Sequence, residues 1–197
     1  MEDSFYVVGE DQACCSLATM MIVQLGGEVK HQSVERGFGP FVAKIRNMNT
    51  IAQNVMPVVM LADGDQGACV VAQRNEWMPL HPAGRFCLRL AVREAESWVL
   101  SDREGLSQFA EVSSATIPAN PDGLPDPKRS LLNVMQRSRR RVLREEMLPG
   151  RASNALVGLG YNLHLKAFIE TLWSAERAAQ NSPSLSRALN RIAALIP

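Results

Sequence analysis

The chain has 197 residues, 46% hydrophobic and 21% charged, with 21 Lys and Arg against 20 Asp and Glu. That length buries a core without metal or disulfide staples, and no run approaches the roughly 20 consecutive apolar residues of a membrane span. The opening residues, MEDSFYVV, carry acids where a secretory signal carries basic residues, so a cytoplasmic protein with no membrane partner is expected.

Four cysteines are present, Cys14, Cys15, Cys69 and Cys87. Neighbours in sequence do not pair without strain, and no CxxC spacing points to zinc or redox chemistry. They read as small buried hydrophobes in a reducing compartment. His31, His81 and His164 are scattered and suggest no zinc site.

In chain order, FYVV (5–8) is short, β-branched and aromatic, which predicts a buried strand. A helix follows, with Leu17, Met20, Met21 and Leu25 at helical spacing and Gly26-Gly27 as its stop. EVKHQSV (28–34) reads as a short second strand, and FVAKIRNMNTIAQN (41–54) as a second helix. VMPVVMLA (55–62) is apolar throughout, the signature of a strand covered on both faces, and Pro57 is tolerable near its start. A third helix is expected over 66–77, a strand over 85–92 and a helix over 93–110. This alternation predicts an α/β fold with a mostly parallel sheet flanked by helices.

A proline-rich connector, IPANPDGLPDPK, marks a change of composition. Residues 1–117 are expected to form the α/β domain and 118–197 a connector and helical subdomain, with helices over about 127–148, 161–180 and 183–195. Trp77, Trp98 and Trp173 read as core or interface anchors, and GYN as a turn with a buried Tyr161. Asp102 is a candidate ion-pair partner for Arg103 or Arg93.

Acids follow each apolar strand: Glu10 and Asp11 after VVG, Asp63 and Asp65 in LADGD, Glu94 and Glu96 in REAESW. Parallel strands deliver such residues to one edge of a sheet, where functional groups collect. Neighbouring strands about 4.8 Å apart bring the carboxylates within reach of one divalent ion. Crowded carboxylates cannot all ionise unless something positive lies among them, and Mg²⁺ or Mn²⁺ is the natural occupant. Gly64 lets the chain turn sharply between Asp63 and Asp65. Taken singly, each acid has a plainer reading as a helix N-cap or first-turn residue.

VVGED, MLADGD and REAESW together resemble the Toprim domain of topoisomerases, primases and the overcoming-lysogenisation-defect nucleases, over about residues 4–110. They are most similar to small Toprim-like proteins with an E-x-E-x-W pattern, often found beside ATPases in phage-defence loci. The resemblance implies a metal-dependent nuclease with Glu10 as general base or metal contact and Asp63 and Asp65 as metal ligands. Glu94 and Glu96 become supporting acids, Glu94 the one expected to face the metal. The family reads Glu-Gly at its first motif and this chain reads Gly9-Glu10. Glu10 either fills the role from a shifted position or belongs to a noncatalytic scaffold that docks on an ATPase.

The region from Lys128 to Arg151 holds Lys128, Arg129, Arg137, Arg139, Arg140, Arg141, Arg144 and Arg151 against Glu145 and Glu146. A solvated helix face is the ordinary meaning of such a run. On one continuous helix, however, Arg137, Arg140, Arg141 and Arg144 share a side. With Lys128 and Arg129 they are expected to bind nucleic-acid phosphates, of DNA ahead of RNA, without reading bases.

Overall fold

The computed structural model describes residues 4–65, 69–150 and 153–196. Its centre is a sheet of β1 (Ser4–Gly9), β2 (Glu28–Val34), β3 (Val58–Gly64) and β4 (Phe86–Val92), all parallel and ordered β2-β1-β3-β4. The parallel α/β architecture expected from the strand–helix alternation is the one observed. β3 is central, and its residues Val58 to Ala62 are all fully buried, as an uninterrupted apolar run requires.

Two layers of helix cover the sheet. α1 (Gln12–Gln24) connects β1 to β2 on one face, and α2 (Phe38–Asn54) connects β2 to β3 on the other. α3 (Val70–Trp77) lies on the α2 side, where Phe41, Ile45, Met48 and Ala52 pack against Val8, Val58, Met60, Leu88 and Leu90. The α1 face is much thicker. α4 (Glu96–Ser101), α5 (Arg103–Ala110), α6 (Pro127–Gln136), α7 (Arg141–Met147), α8 (Tyr161–Thr171), α9 (Ala175–Ala179) and α10 (Pro183–Ala193) build it up in one continuous apolar cluster. Trp98 is central to that cluster, fully buried, with its indole N–H donated to Ser184 Oγ at 2.8 Å. No helix among the described residues is long and apolar enough to cross a membrane.

Three helices expected to be continuous are each broken in two, for one physical reason. Asp102 ends α4, and its carboxylate accepts from Gly105 N–H to start α5. Ser138, buried between α6 and α7, donates to Ala110 O and accepts from Arg140 N–H. Ser174 caps α9 by accepting from Arg177 N–H, three residues past the end of α8. Asp and Ser side chains offer the backbone partners outside the helical ladder, and here tertiary contacts reward that choice.

Gly64 is a strand residue, and its value is room rather than a turn. A Cβ there would lie 2.5 Å from Ala91 O and 2.8 Å from Val70 Cγ2. Gly64→Ala should therefore cost about 1–3 kcal/mol by overpacking, read as a lower urea midpoint. An unchanged midpoint would show that β3 and β4 can separate locally without cost.

Candidate active site

The chain leaves β1 toward β2 on one side and reaches β3 on the other, so the strand order switches between β1 and β3. In open parallel sheets, ligands bind outside the carboxyl ends of the strands at such a switch. Glu10 stands immediately past β1, and Asp63 is the next-to-last residue of β3. The two meet directly: Glu10 Oε2 accepts from Asp63 N–H at 3.1 Å. Asp63 Oδ1 in turn accepts from Ala95 N–H at 2.8 Å, just beyond β4. The ends of β1, β3 and β4 are thus tied together through the Glu10 and Asp63 carboxylates and two backbone N–H groups.

Gly9 makes the approach possible. A Cβ at Gly9 would lie 2.4 Å from Cys15 N, so only glycine lets α1 begin this close to the strand that delivers Glu10. Asp11 follows the plainer reading and caps α1, its Oδ1 accepting from Cys14 N–H at 2.8 Å. The Cys14 thiol lies 3.7 Å from Asp63 Oδ1, and burial with the Asp11 and Asp63 charges pushes it well above its ordinary range, so it is a neutral donor.

Glu94 and Glu96 are engaged by the C-terminal region. Glu94 Oε2 accepts from Lys128 N–H at 2.9 Å, satisfying a free donor at the start of α6. The Lys128 ammonium lies 3.4 Å from Glu94 Oε1 and 3.6 Å from Glu96 Oε1. Glu96 is almost fully buried and also accepts from the Tyr161 hydroxyl at 2.7 Å. Lys128, expected among the phosphate contacts, is therefore a counter-charge inside the acid cluster. Tyr161 is buried as expected, and its hydroxyl has a partner that the surrounding turn residues did not indicate.

The acids are short of compensation. Burial pushes the Asp63 carboxyl up from its ordinary 3.8 to about 8, with the charges of Glu96, Asp11 and Glu10 adding to the shift and the Ala95 N–H opposing it. Glu10 is raised too, by burial first and then by Asp65 and Asp11 against the Asp63 N–H. Glu96 is raised by burial, against the pull of Lys128 and Tyr161. Burial alone would lower Lys128, but Glu96, Glu94 and Asp63 outweigh it and hold the ammonium above its ordinary value. Tyr161→Phe keeps the packing and removes one donor from Glu96, so a stability loss of about 1–3 kcal/mol is expected. A urea titration matching wild type would mean that Lys128 alone satisfies Glu96.

Asp65 is exposed, on the rim of a cleft of about 1220 Å³ lined also by Glu94, Arg93, Asp126, Lys128 and Arg129. Beyond Asp65 the third expected helix, 66–77, begins partly outside the described residues; its described part is α3. Among the described residues, no three His, Cys, Asp or Glu side chains converge closely enough to hold a metal ion by themselves.

The expected arginine stripe does not exist as one helix face. Arg137 ends α6 and Arg140 precedes α7, with the Ser138 break between them. Arg140 turns inward, donating to Phe109 O at 3.0 Å and lying over the Phe109 ring at 5.1 Å. Arg144 donates to Ser138 O, and Arg141 pairs with Glu145 at 2.7 Å. Arg129, Arg137 and Arg139 remain exposed. Asp102 pairs with Arg177, 75 residues away, rather than with Arg103 or Arg93. Sequence reasoning missed the roles of Lys128, Tyr161 and Arg177 because each partner lies far along the chain, and the one local signal was the helix start at Asp126-Pro127. Comparison with known protein families, with curated proteins and with solved structures finds no match to this chain.

Proposed function

We propose that this chain is a divalent-metal-dependent nuclease of Toprim type, cutting nucleic-acid phosphodiester bonds, of DNA ahead of RNA, at the carboxyl edge of its sheet. The observation that carries this reading is the contact between Glu10 and Asp63 at the strand-order switch. Glu10 and Asp63, both raised by burial, offer the carboxylate oxygens that a hard cation takes. Mg²⁺ in particular is held by one or two carboxylates, keeping its remaining sites for water and phosphate, so the lack of a converging trio is compatible with it. Glu10, Asp63 and Asp65 are the residues that would hold Mg²⁺ or Mn²⁺. When bound, such an ion supplies an activated water and stabilises the leaving oxygen.

The chain's own groups have separate tasks in this reading. Glu10 holds the Asp63 backbone N–H, and the Ala95 N–H orients the Asp63 carboxyl. Asp65 stands on the rim of the cleft that a substrate would enter, and Lys128 offsets part of the charge of Glu94 and Glu96. Glu94 supports the site by holding Lys128 and the start of α6, rather than by facing the metal.

A second reading is a noncatalytic Toprim-like adaptor that docks on an ATPase, in phage defence or elsewhere. The Lys128 ammonium between Glu94 and Glu96 favours it, because an internal cation neutralises acids that a metalloenzyme would leave for its metal. Incubation with supercoiled plasmid and Mn²⁺ separates the two. Nicking by wild type and not by Asp63→Ala supports the nuclease, and nicking by both removes these acids from the chemistry. Absence of nicking, with a stable ATPase complex that survives Asp63→Ala, supports the adaptor.

A further inference from the structure

β4 is an edge strand, paired only with β3 among the described residues. Its open side gathers arginines from three separate segments. The Leu88 carbonyl accepts from both Arg74 Nε at 3.2 Å and Arg89 Nη1 at 3.1 Å, which places the guanidiniums of α3 and β4 side by side. Arg191 of α10 donates to Gly84 O at 2.7 Å, just before the same strand, and Arg187 precedes it by one helical turn.

This cluster is uncompensated. None of the four arginines forms an ion pair with a carboxylate among the described residues, whereas Arg177 and Arg141 elsewhere each have one. The Arg89 Nε is buried without a hydrogen-bond partner. Burial lowers the Arg89 pKa, and the like charges of Arg74, Arg191 and Arg187 lower it further. Blunting an exposed strand edge is one use of charged side chains, but a single arginine does that. Four from three elements concentrate positive charge where a planar guanidinium can fork onto phosphate oxygens.

The position is informative. Arg89 is in register with Leu61, two residues before Asp63 on the neighbouring strand. At about 3.3 Å per residue, the Arg89 backbone lies roughly 7 Å along the sheet from the level of Asp63, and the row of arginines runs from there back to Arg191 at Gly84. We infer that the β4 edge, through Arg74, Arg89, Arg187 and Arg191, binds the phosphate backbone of a nucleic-acid strand whose continuation reaches the acids at the end of the sheet. This rests on the nuclease reading and draws a phosphate grip from one sheet edge, whereas between residues 128 and 150 Arg140 and Arg144 donate to main-chain carbonyls and Arg141 pairs with Glu145, leaving Arg129, Arg137 and Arg139 exposed as the competing surface.

The test is binding of a short fluorescent DNA strand and its duplex by anisotropy, in EDTA, across a salt series. Arg74→Gln with Arg187→Gln is expected to weaken binding and to reduce the salt slope by about two. Arg187 is exposed, with no hydrogen bond or ion pair among the described residues, so Arg187→Gln alone tests the idea if the pair perturbs folding; it should reduce the slope by about one. Arg137→Gln with Arg139→Gln is the competing surface. An unchanged slope in the first pair, or a larger change in the competing pair, overturns the inference. So does a wild type that ignores DNA, including one that binds anionic phosphatidylserine vesicles instead. DNA binding that depends on the β4 edge, without cleavage under any metal, keeps this inference and removes the nuclease reading. Cleavage that is indifferent to these arginines does the reverse.

Discussion

Asp63→Asn is expected to lower nucleic-acid cleavage by about a hundredfold to a thousandfold, the scale of losing one preorganised electrostatic group, while making the metal-free protein more stable near pH 8. The two effects have one cause. Asp63 is desolvated and surrounded by Glu96, Asp11 and Glu10, so its carboxyl titrates near 8 when folded instead of at 3.8. Between those values the folded chain holds a proton that the unfolded chain has released. Stability therefore falls as pH rises from about 4 to about 8, at most by about 1.4 kcal/mol per pH unit for this one group. Raised Glu10 and Glu96 act in the same direction. Asparagine keeps an oxygen to accept from Ala95 N–H and has no charge to bury, so it should recover at least about 1 kcal/mol at pH 8 and nothing below pH 4. Urea denaturation at a series of pH values, without divalent ions, reads this directly. Curves for Asn and wild type that stay parallel across the range would refute the desolvated-carboxylate account, whatever the nuclease assay shows. With Mg²⁺ or Mn²⁺ present the order should reverse, because a ligand that needs the ionised carboxylate stabilises only wild type.

The largest stability loss away from the site should come from Asp102. It is fully buried and receives Arg177 through two bonds, Nε at 2.8 Å and Nη2 at 2.7 Å, together with Gly105 N–H at 3.0 Å and Ser174 N–H at 2.8 Å. One carboxylate thus starts α5, meets the N-cap residue of α9 and anchors the arginine of α9. Asp102→Ala removes the carboxylate from Gly105 N–H, Ser174 N–H and Arg177 Nε, leaving Arg177 only its Nη2 bond to Leu172 O, and is expected to cost about 3–5 kcal/mol, which for a chain of this size lowers Tm by about 10 °C. Arg177→Lys keeps the charge but not the fork, and should fall between the two. A Tm shift of only a degree or two for Asp102→Ala would mean that water replaces the carboxylate. Nuclease activity measured well below Tm should be retained, since Asp102 belongs to no part of the proposed site.

The sequence by itself determined the layered part of this protein. The apolar run ending at Ala62 could be covered on both faces only as an inner parallel strand, and β3 is that strand. Gly26-Gly27 stops α1 within two residues of its observed end, and acids after strands were bound to share an edge once the strands were parallel. These outcomes rest on periodicity and chain direction, which are local. What the acids touch was decided by tertiary structure alone. Lys128 reaches Glu94 across 34 residues and Tyr161 reaches Glu96 across 65, and no spacing within either segment encodes the other. The arginines followed the same rule in reverse. The basic run from 128 to 151 reads as one stripe, yet Ser138 gains a buried partner by breaking its helix, and the stripe disperses. The cluster that does form, at β4, is assembled from residues 74, 89, 187 and 191, brought together because α3 and α10 pack against one edge strand.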